Sequence, residues 1–375
     1  MLVIALEFKD NPIEEWLKKK GWSLYAHQVQ TFNLIKQGCD VILHAPTGGG
    51  KTIGGFMPSI NDFINNNNKS DAFHTLYISP LKALTADVQR NLLNPINDLD
   101  LNIKVETRTS DTSTHNKAKQ IKKPPNFLMT TPESFALLMA RTDVTDLFKN
   151  LKFIIIDELH TFFDSKRGHL LSLNLARLRS IIPFQTIGLS ATLKDTEHAT
   201  KYLSNKKNTK LVSVCSETTP DITILRSDNR IPWSGHSPKY ALSDIYLEIL
   251  KFKSSILFVN TRAQAEILFE SLWAINNKNK KIAIHHGSLE KDLRKKVERE
   301  IVEGYVECVV ATSSLDLGLD WGNIDLVMQI GAPKGVARLI QRIGRANHTI
   351  NMPSRAILVP TNCFEFVECL AAKKC

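Results

Sequence analysis

The stretch Ala45-Pro46-Thr47-Gly48-Gly49-Gly50-Lys51-Thr52 constrains this chain more than any other. It follows the apolar run Val41-Ile42-Leu43, which reads as a buried strand, and leads into a segment that reads as a helix. Strand, glycine-rich turn and helix in that order bring backbone N–H groups around a phosphate. Thr47, Gly48, Gly49 and Gly50 form the expected cradle, Lys51 adds a point charge, and Thr52 offers a hydroxyl to Mg2+. Ala45 stands where the usual G-x-x-x-x-G-K-[ST] pattern begins with glycine, whereas Gly50-Lys51-Thr52 is intact. The competing reading is a plain glycine-rich turn.

With 375 residues the chain exceeds what one core spans, so two domains are expected. Lys and Arg outnumber Asp and Glu by 48 to 38, and the net charge of +10 favours a polyanion such as nucleic acid. No apolar run approaches a membrane span, and Met1 to Phe8 is too short and lacks the basic flank of a signal peptide; a cytoplasmic protein is expected. The six cysteines contain no C-x-x-C pair, which argues against a disulfide framework or a zinc site.

Asn11-Pro12-Ile13-Glu14 announces a helix that Gly21 ends. Gln28 falls in or at the start of the next helix, where its amide could read an adenine edge. Strands are expected at 75–78, 103–107, 127–129, 153–156 and 185–189, separated by helical spacers, which is a layered α/β pattern. The basic stretch with Lys117, Lys119, Lys122 and Lys123 reads as a link, either solvated or touching phosphate. Asp157-Glu158-Leu159-His160 ends the most clearly buried of these strands. Two adjacent carboxylates at a strand tip point different ways, so Asp157 can hold Mg2+ while Glu158 orients water; an acidic helix cap is the alternative. Strand 185–189 delivers Ser190-Ala191-Thr192 to the same edge.

Between Leu193 and about Ile249 the pattern weakens into a linker around 205–250, with a strand candidate at 211–214 and Pro220, Pro232 and Pro238 marking an irregular stretch. The division is expected near 205–235, giving domains 1–210 and 211–375. A second strand series follows at 255–259, 282–284, 307–310, 326–330 and 356–359. Gln341-Arg342-Ile343-Gly344-Arg345 places two arginines three apart on one helical face, either as an ordinary ion-paired surface or to neutralise a transferring phosphoryl group.

Taken together these motifs resemble a superfamily 2 DExH-box helicase, and within it the large-helicase-related (Lhr-like) group, over most of residues 12–348. The resemblance implies two tandem RecA-like α/β domains of P-loop NTPase type, with mostly parallel sheets flanked by helices. It implies ATP and Mg2+ as ligands: Gln28 reading adenine, Lys51 on the terminal phosphates, Thr52 and Asp157 on Mg2+, and Glu158 activating water. Arg345 would be the arginine finger with Arg342 assisting, and Gly318 and Asp320 would line the nucleotide site. Pro80, Lys82, Arg108, Thr131, Arg262, His286 and Thr312 would face nucleic acid. His160, Ser190, Thr192 and Gln341 would couple the two sites. Further implications are 3'-to-5' movement on single-stranded or partly duplex DNA and a role in repair.

Three positions depart from the Lhr-like or wider helicase patterns. Asp316 stands where Glu is usual, Asn347 where a small Gly is usual, and His348 where many related helicases carry Arg. The family also continues into a winged-helix domain and further DNA-gripping modules, so this chain reads as a shortened form whose missing modules a separate polypeptide could supply. An RNA helicase or remodeller shares all of this chemistry, and an ATP-gated clamp that binds without unwinding is a third reading.

Overall fold

The computed structural model describes residues 12–374 apart from 47, 67–70, 81, 194, 205–207, 215–219, 317–323 and 347–353. The chain divides into two compact units, residues 1–215 and 216–375. The first holds a seven-stranded sheet made of β1 (Asp40–His44), β2 (Thr75–Ile78), β3 (Val105–Arg108), β4 (Phe127–Thr130), β5 (Phe153–Ile156), β6 (Gln185–Ser190) and β7 (Thr209–Ser213), in the order β3-β4-β2-β5-β6-β1-β7. All of its pairings are parallel.

Helices cover both faces of this sheet, so its central strands must be apolar on both sides. In β5, Phe153 and Ile155 enter one core with Phe32, Phe56 and Tyr77, while Ile154 and Ile156 enter the other with Phe135, Phe148 and Leu171. Alternate side chains of a strand face opposite ways, and that alternation divides one apolar run between two cores.

The second unit repeats the plan with β8 (Asp221–Ile224), β9 (Ser255–Phe258), β10 (Ile282–His285), β11 (Cys308–Ala311), β12 (Leu326–Ile330) and β13 (Arg355–Val359), ordered β10-β11-β9-β12-β13-β8. These pairings are parallel too. Parallel strands bring their C-terminal ends to one edge, where an open α/β sheet places its site. Among the described residues no helix is long and apolar enough to cross a membrane.

Every stretch read as a strand forms one, but three expectations change. β7 pairs with β1 in the first sheet, so residues 211–213 belong to the first unit and the division falls a few residues beyond 210/211. The stretch after Pro220 is not irregular at its start: β8 forms there and pairs with β13. The Lys-rich link is a helix, Thr114–Lys122, begun by Ser113, whose hydroxyl accepts the Asn116 N–H, and anchored by buried Gln120.

Candidate nucleotide and nucleic-acid sites

The phosphate loop leaves β1 with the Ala45 N–H donating to the Ser190 carbonyl at 3.2 Å, and Lys51 opens the helix Lys51–Asn65. Gly48 and Gly50 take left-handed backbone angles, with φ of 76° and 68°. A Cβ on Gly50 would lie 2.4 Å from Gln28 Nε2, and one on Gly49 would lie 2.9 Å from the Pro46 carbonyl. The loop is therefore a cradle that side chains would fill. Lys51 Nζ donates to the Ala45 and Pro46 carbonyls at 2.7 and 2.8 Å, contacts that a bound phosphate would replace. Thr47 lies outside the described residues.

Gln28 is buried, and its amide braces the loop. Nε2 donates to the Gly50 carbonyl at 2.9 Å, and Oε1 accepts the Tyr25 N–H at 2.9 Å. His27, which sequence reasoning missed, holds the Gly49 carbonyl through Nε2 at 2.8 Å and stacks on Tyr25. Its one sequence signal was its place beside Gln28.

Asp157 continues the ladder of β5, its N–H donating to the Ile78 carbonyl, and both it and Glu158 are buried. Asp157 Oδ1 accepts the Glu158 N–H at 2.8 Å, and Oδ2 accepts the Tyr77 hydroxyl. Glu158 has φ of 48°, a left-handed conformation uncommon for a residue with a side chain and characteristic of functional turns. Burial raises the Asp157 pKa and the Glu158 charge raises it further, while Tyr77, the Glu158 N–H and Lys51 oppose the shift. Hard carboxylate and hydroxyl oxygens suit Mg2+, so Asp157 and Thr52, beside a cradle of N–H groups, fit a magnesium nucleotide.

His160, Ser190 and Thr192 are joined. His160 Nδ1 lies 3.0 Å from Ser190 Oγ, which donates its own proton to the Thr192 carbonyl at 2.7 Å. The serine hydroxyl has one proton, so the imidazole donates to it from a protonated Nδ1. Burial pushes the His160 pKa down to about 4, with Asp157 opposing and Lys51 and His44 adding to the fall.

Of the residues expected to face nucleic acid in this unit, Pro80 is buried just past β2, and Lys82 opens the helix Lys82–Asp98. Arg108 ends β3, and Thr131 caps the helix Pro132–Met139 after β4. The three strands are neighbours, so these positions share one stretch of rim. Arg108 is partly committed elsewhere: its Nη1 donates to the Lys117 carbonyl at 2.9 Å and to Gln120 Oε1 at 3.3 Å, bracing the Lys-rich helix.

The second unit has the matching rim, at the ends of β9, β10 and β11. Arg262 opens the helix Arg262–Ala274 and donates to Ser288 Oγ at 3.0 Å. His286 is buried, with Nε2 3.5 Å from a Glu266 oxygen, and its pKa is lowered by burial. Thr312 follows β11, its N–H donating to the His285 carbonyl.

The two arginines do not share one helix face. Arg342 lies in the helix Val336–Ile343, whereas Arg345 follows it in a turn closed by its N–H on the Arg342 carbonyl. Arg342 is buried. Its Nε is 2.7 Å and its Nη2 3.3 Å from the two Asp316 carboxylate oxygens, Nη1 donates to Gln329 at 2.6 Å, and the guanidinium lies over the Phe258 ring. Arg338 also meets Asp316, at 3.0 Å, and Arg345 Nη2 donates to the Asp316 carbonyl at 3.1 Å. Arg342 is thus a strut, and Asp316 is the anchor of all three arginines. Buried Gln341 precedes the strut. Gly318, Asp320, Asn347 and His348 lie outside the described residues.

Comparison with known proteins matches residues 25–200 to the DEAD/DEAH box helicase family and 239–349 to the helicase conserved C-terminal domain. The chain is 35% identical to the ATP-dependent helicase Lhr-Core of Saccharolobus solfataricus over 96% of its own length and 44% of that protein's. Against the Lhr-Core of Methanocaldococcus jannaschii it is 34% identical over 96% and 45%. The solved structure of Mycobacterium smegmatis helicase Lhr bound to ssDNA and AMP-PNP superimposes with a TM-score of 0.86 at 32% identity, covering 97% of this chain and 49% of that one. The chain therefore spans about half the length of the relatives it matches. With a DEAD/DEAH ATPase domain in its first unit, a helicase C-terminal domain in its second and Lhr homology along nearly its whole length, the chain belongs to the Lhr-like DExH-box helicases.

Proposed function

We propose that this chain is an ATP-driven motor on nucleic acid, translocating 3'-to-5' on single-stranded DNA and opening duplex ahead of it, in the service of DNA repair. The observation that carries the reading is Asp157-Glu158 at the tip of β5, with Lys51 of the phosphate loop close enough for its charge to act on Asp157. The Mycobacterium smegmatis relative bound to ssDNA and AMP-PNP supports it.

In this mechanism Gln28 meets the adenine on exchanging its loop contacts. Lys51 would leave the Ala45 and Pro46 carbonyls for the terminal phosphates, and Thr52 and Asp157 would hold Mg2+. The bound metal supplies charge neutralisation on the phosphates. Glu158 orients the attacking water. Arg345 stabilises the transferring phosphoryl group, and Arg342, locked on Asp316, fixes the turn that presents it. The resemblance would give Gly318 and Asp320, outside the described residues, a role at the nucleotide. Thr131, Arg262 and Thr312 grip the strand backbone, helped by Pro80, Lys82, Arg108 and His286, so sequence preference is low. His160, Ser190, Thr192 and Gln341 pass the nucleotide state to that grip.

The test is steady-state ATP hydrolysis without polymer, with single-stranded DNA and with matched RNA, at fixed salt. The expected result is stimulation by DNA exceeding that by RNA, and loss of turnover with retained ATP binding in Glu158→Gln. Equal or greater stimulation by RNA would overturn the DNA assignment, and hydrolysis indifferent to both polymers would leave an uncoupled ATPase.

A further inference from the structure

Tyr77 is a fully buried tyrosine of the first core, and its hydroxyl reaches the acidic pair. It sits on β2 opposite Ile155 of β5, short of Asp157 along the neighbouring strand, and none of its surface is exposed. Its ring packs on Phe56 at 5.3 Å between centroids, and Phe56 lies on the helix that Lys51 opens. The ring thus fills core between the sheet and the phosphate-loop helix, as phenylalanine would.

The hydroxyl does something phenylalanine cannot. A buried phenol requires a hydrogen-bond partner, and here the partner is Asp157 Oδ2, while the other carboxylate oxygen accepts the Glu158 N–H at 2.8 Å. The carboxylate is held from two sides by two donors of fixed position. Each oxygen retains a further acceptor site, so the clamp orients the group without occupying it. Partners behind a ligating side chain set its direction and its affinity for the ion.

We propose that Tyr77 is a positioning residue for magnesium, its hydroxyl fixing the Asp157 carboxylate in the orientation that receives the ion. The proposal rests on the assignment of Asp157 as a metal ligand. It makes β2 a contributor to the metal site from within the core, and it joins metal affinity to packing under the phosphate loop.

The experiment is binding of a fluorescent, non-hydrolysed ATP analogue titrated with Mg2+, alongside thermal unfolding, for the whole chain and for Tyr77→Phe. Loss of a hydrogen bond to a charged group is expected to raise the half-saturating Mg2+ about tenfold, with metal-free nucleotide binding unchanged. Phe127→Leu, which opens space in the same core, should lower the melting temperature and leave the Mg2+ midpoint where it was. In an Asp157→Asn background Tyr77→Phe should add no further shift, because the two changes remove one interaction. An unmoved midpoint in Tyr77→Phe, or a full shift persisting without the Asp157 carboxylate, would overturn the proposal while leaving the metal assignment standing. Nucleotide binding by the unaltered chain that ignores Mg2+ would instead bring down the metal assignment and the proposal together.

Discussion

The imidazole of His160 is neutral at neutral pH, since burial holds its pKa at about 4. The unfolded chain ionises near 6.5, so between these values it binds more protons than the folded one. This group's share of stability is complete above about pH 6.5 and is lost as pH falls toward 4. His160→Gln removes the titration and retains a side chain able to bond Ser190. Urea unfolding near pH 7 and pH 5 should show the unaltered chain losing about 1–2 kcal/mol more than the variant; equal losses would assign the acid sensitivity to other groups. Residue types capable of the chemistry were legible at Lys51, Asp157, Glu158 and His160. Their partners were not. Tyr77 read as a strand residue opening a stretch, through Leu84, that resembles a nucleic-acid-facing motif, and His27 carried no reading of its own, because a buried polar atom chooses its partner by proximity in space.

At the scale of elements, Asp316 joins the short helical turn after β11 to the helix Val336–Ile343 through Arg338 and Arg342. Both Asp316 and Arg342 are buried, and removing one member of a buried pair strands the other's charge. Asp316→Ala should destabilise the second unit by about 3–5 kcal/mol and lower ATP turnover by loosening the turn that carries Arg345. Urea denaturation checks the first effect, and a loss under about 1 kcal/mol would mean that Asp316 is not the anchor. The sequence marked Asp316 only as an Asp where Glu is usual. Two whole elements were also hidden. β8 alternates exposed and half-buried positions, so it carries no apolar run. The Lys-rich helix has almost no apolar face and owes its anchorage to Gln120, Arg108 and the Ser113 cap. At Arg167-Gly168 the fold needs a glycine, for a Cβ on Gly168 would lie 1.7 Å from the Phe162 carbonyl.

For the molecule as a whole, the charge of +10 and the two rims of candidate contacts lead to a salt prediction. Binding to single-stranded DNA should weaken with a slope of log affinity against log salt of about −0.7 per phosphate contact. Arg262→Ala should flatten that slope by about one contact and leave polymer-free ATP hydrolysis unchanged. A slope near zero would remove backbone contact as the basis of binding. The layered α/β plan, its two repeats and the placing of the phosphate loop and acid pair at strand ends follow from local pattern. Apolar runs, glycines and polar strand tips are dictated within a few neighbouring residues. The fate of each polar group came from packing. That β7 closes the first sheet, that Arg342 is a strut, and that Tyr77 clamps Asp157 all depend on segments distant in the chain meeting in a dry core, where an unpaired donor or charge is too costly to leave unmatched.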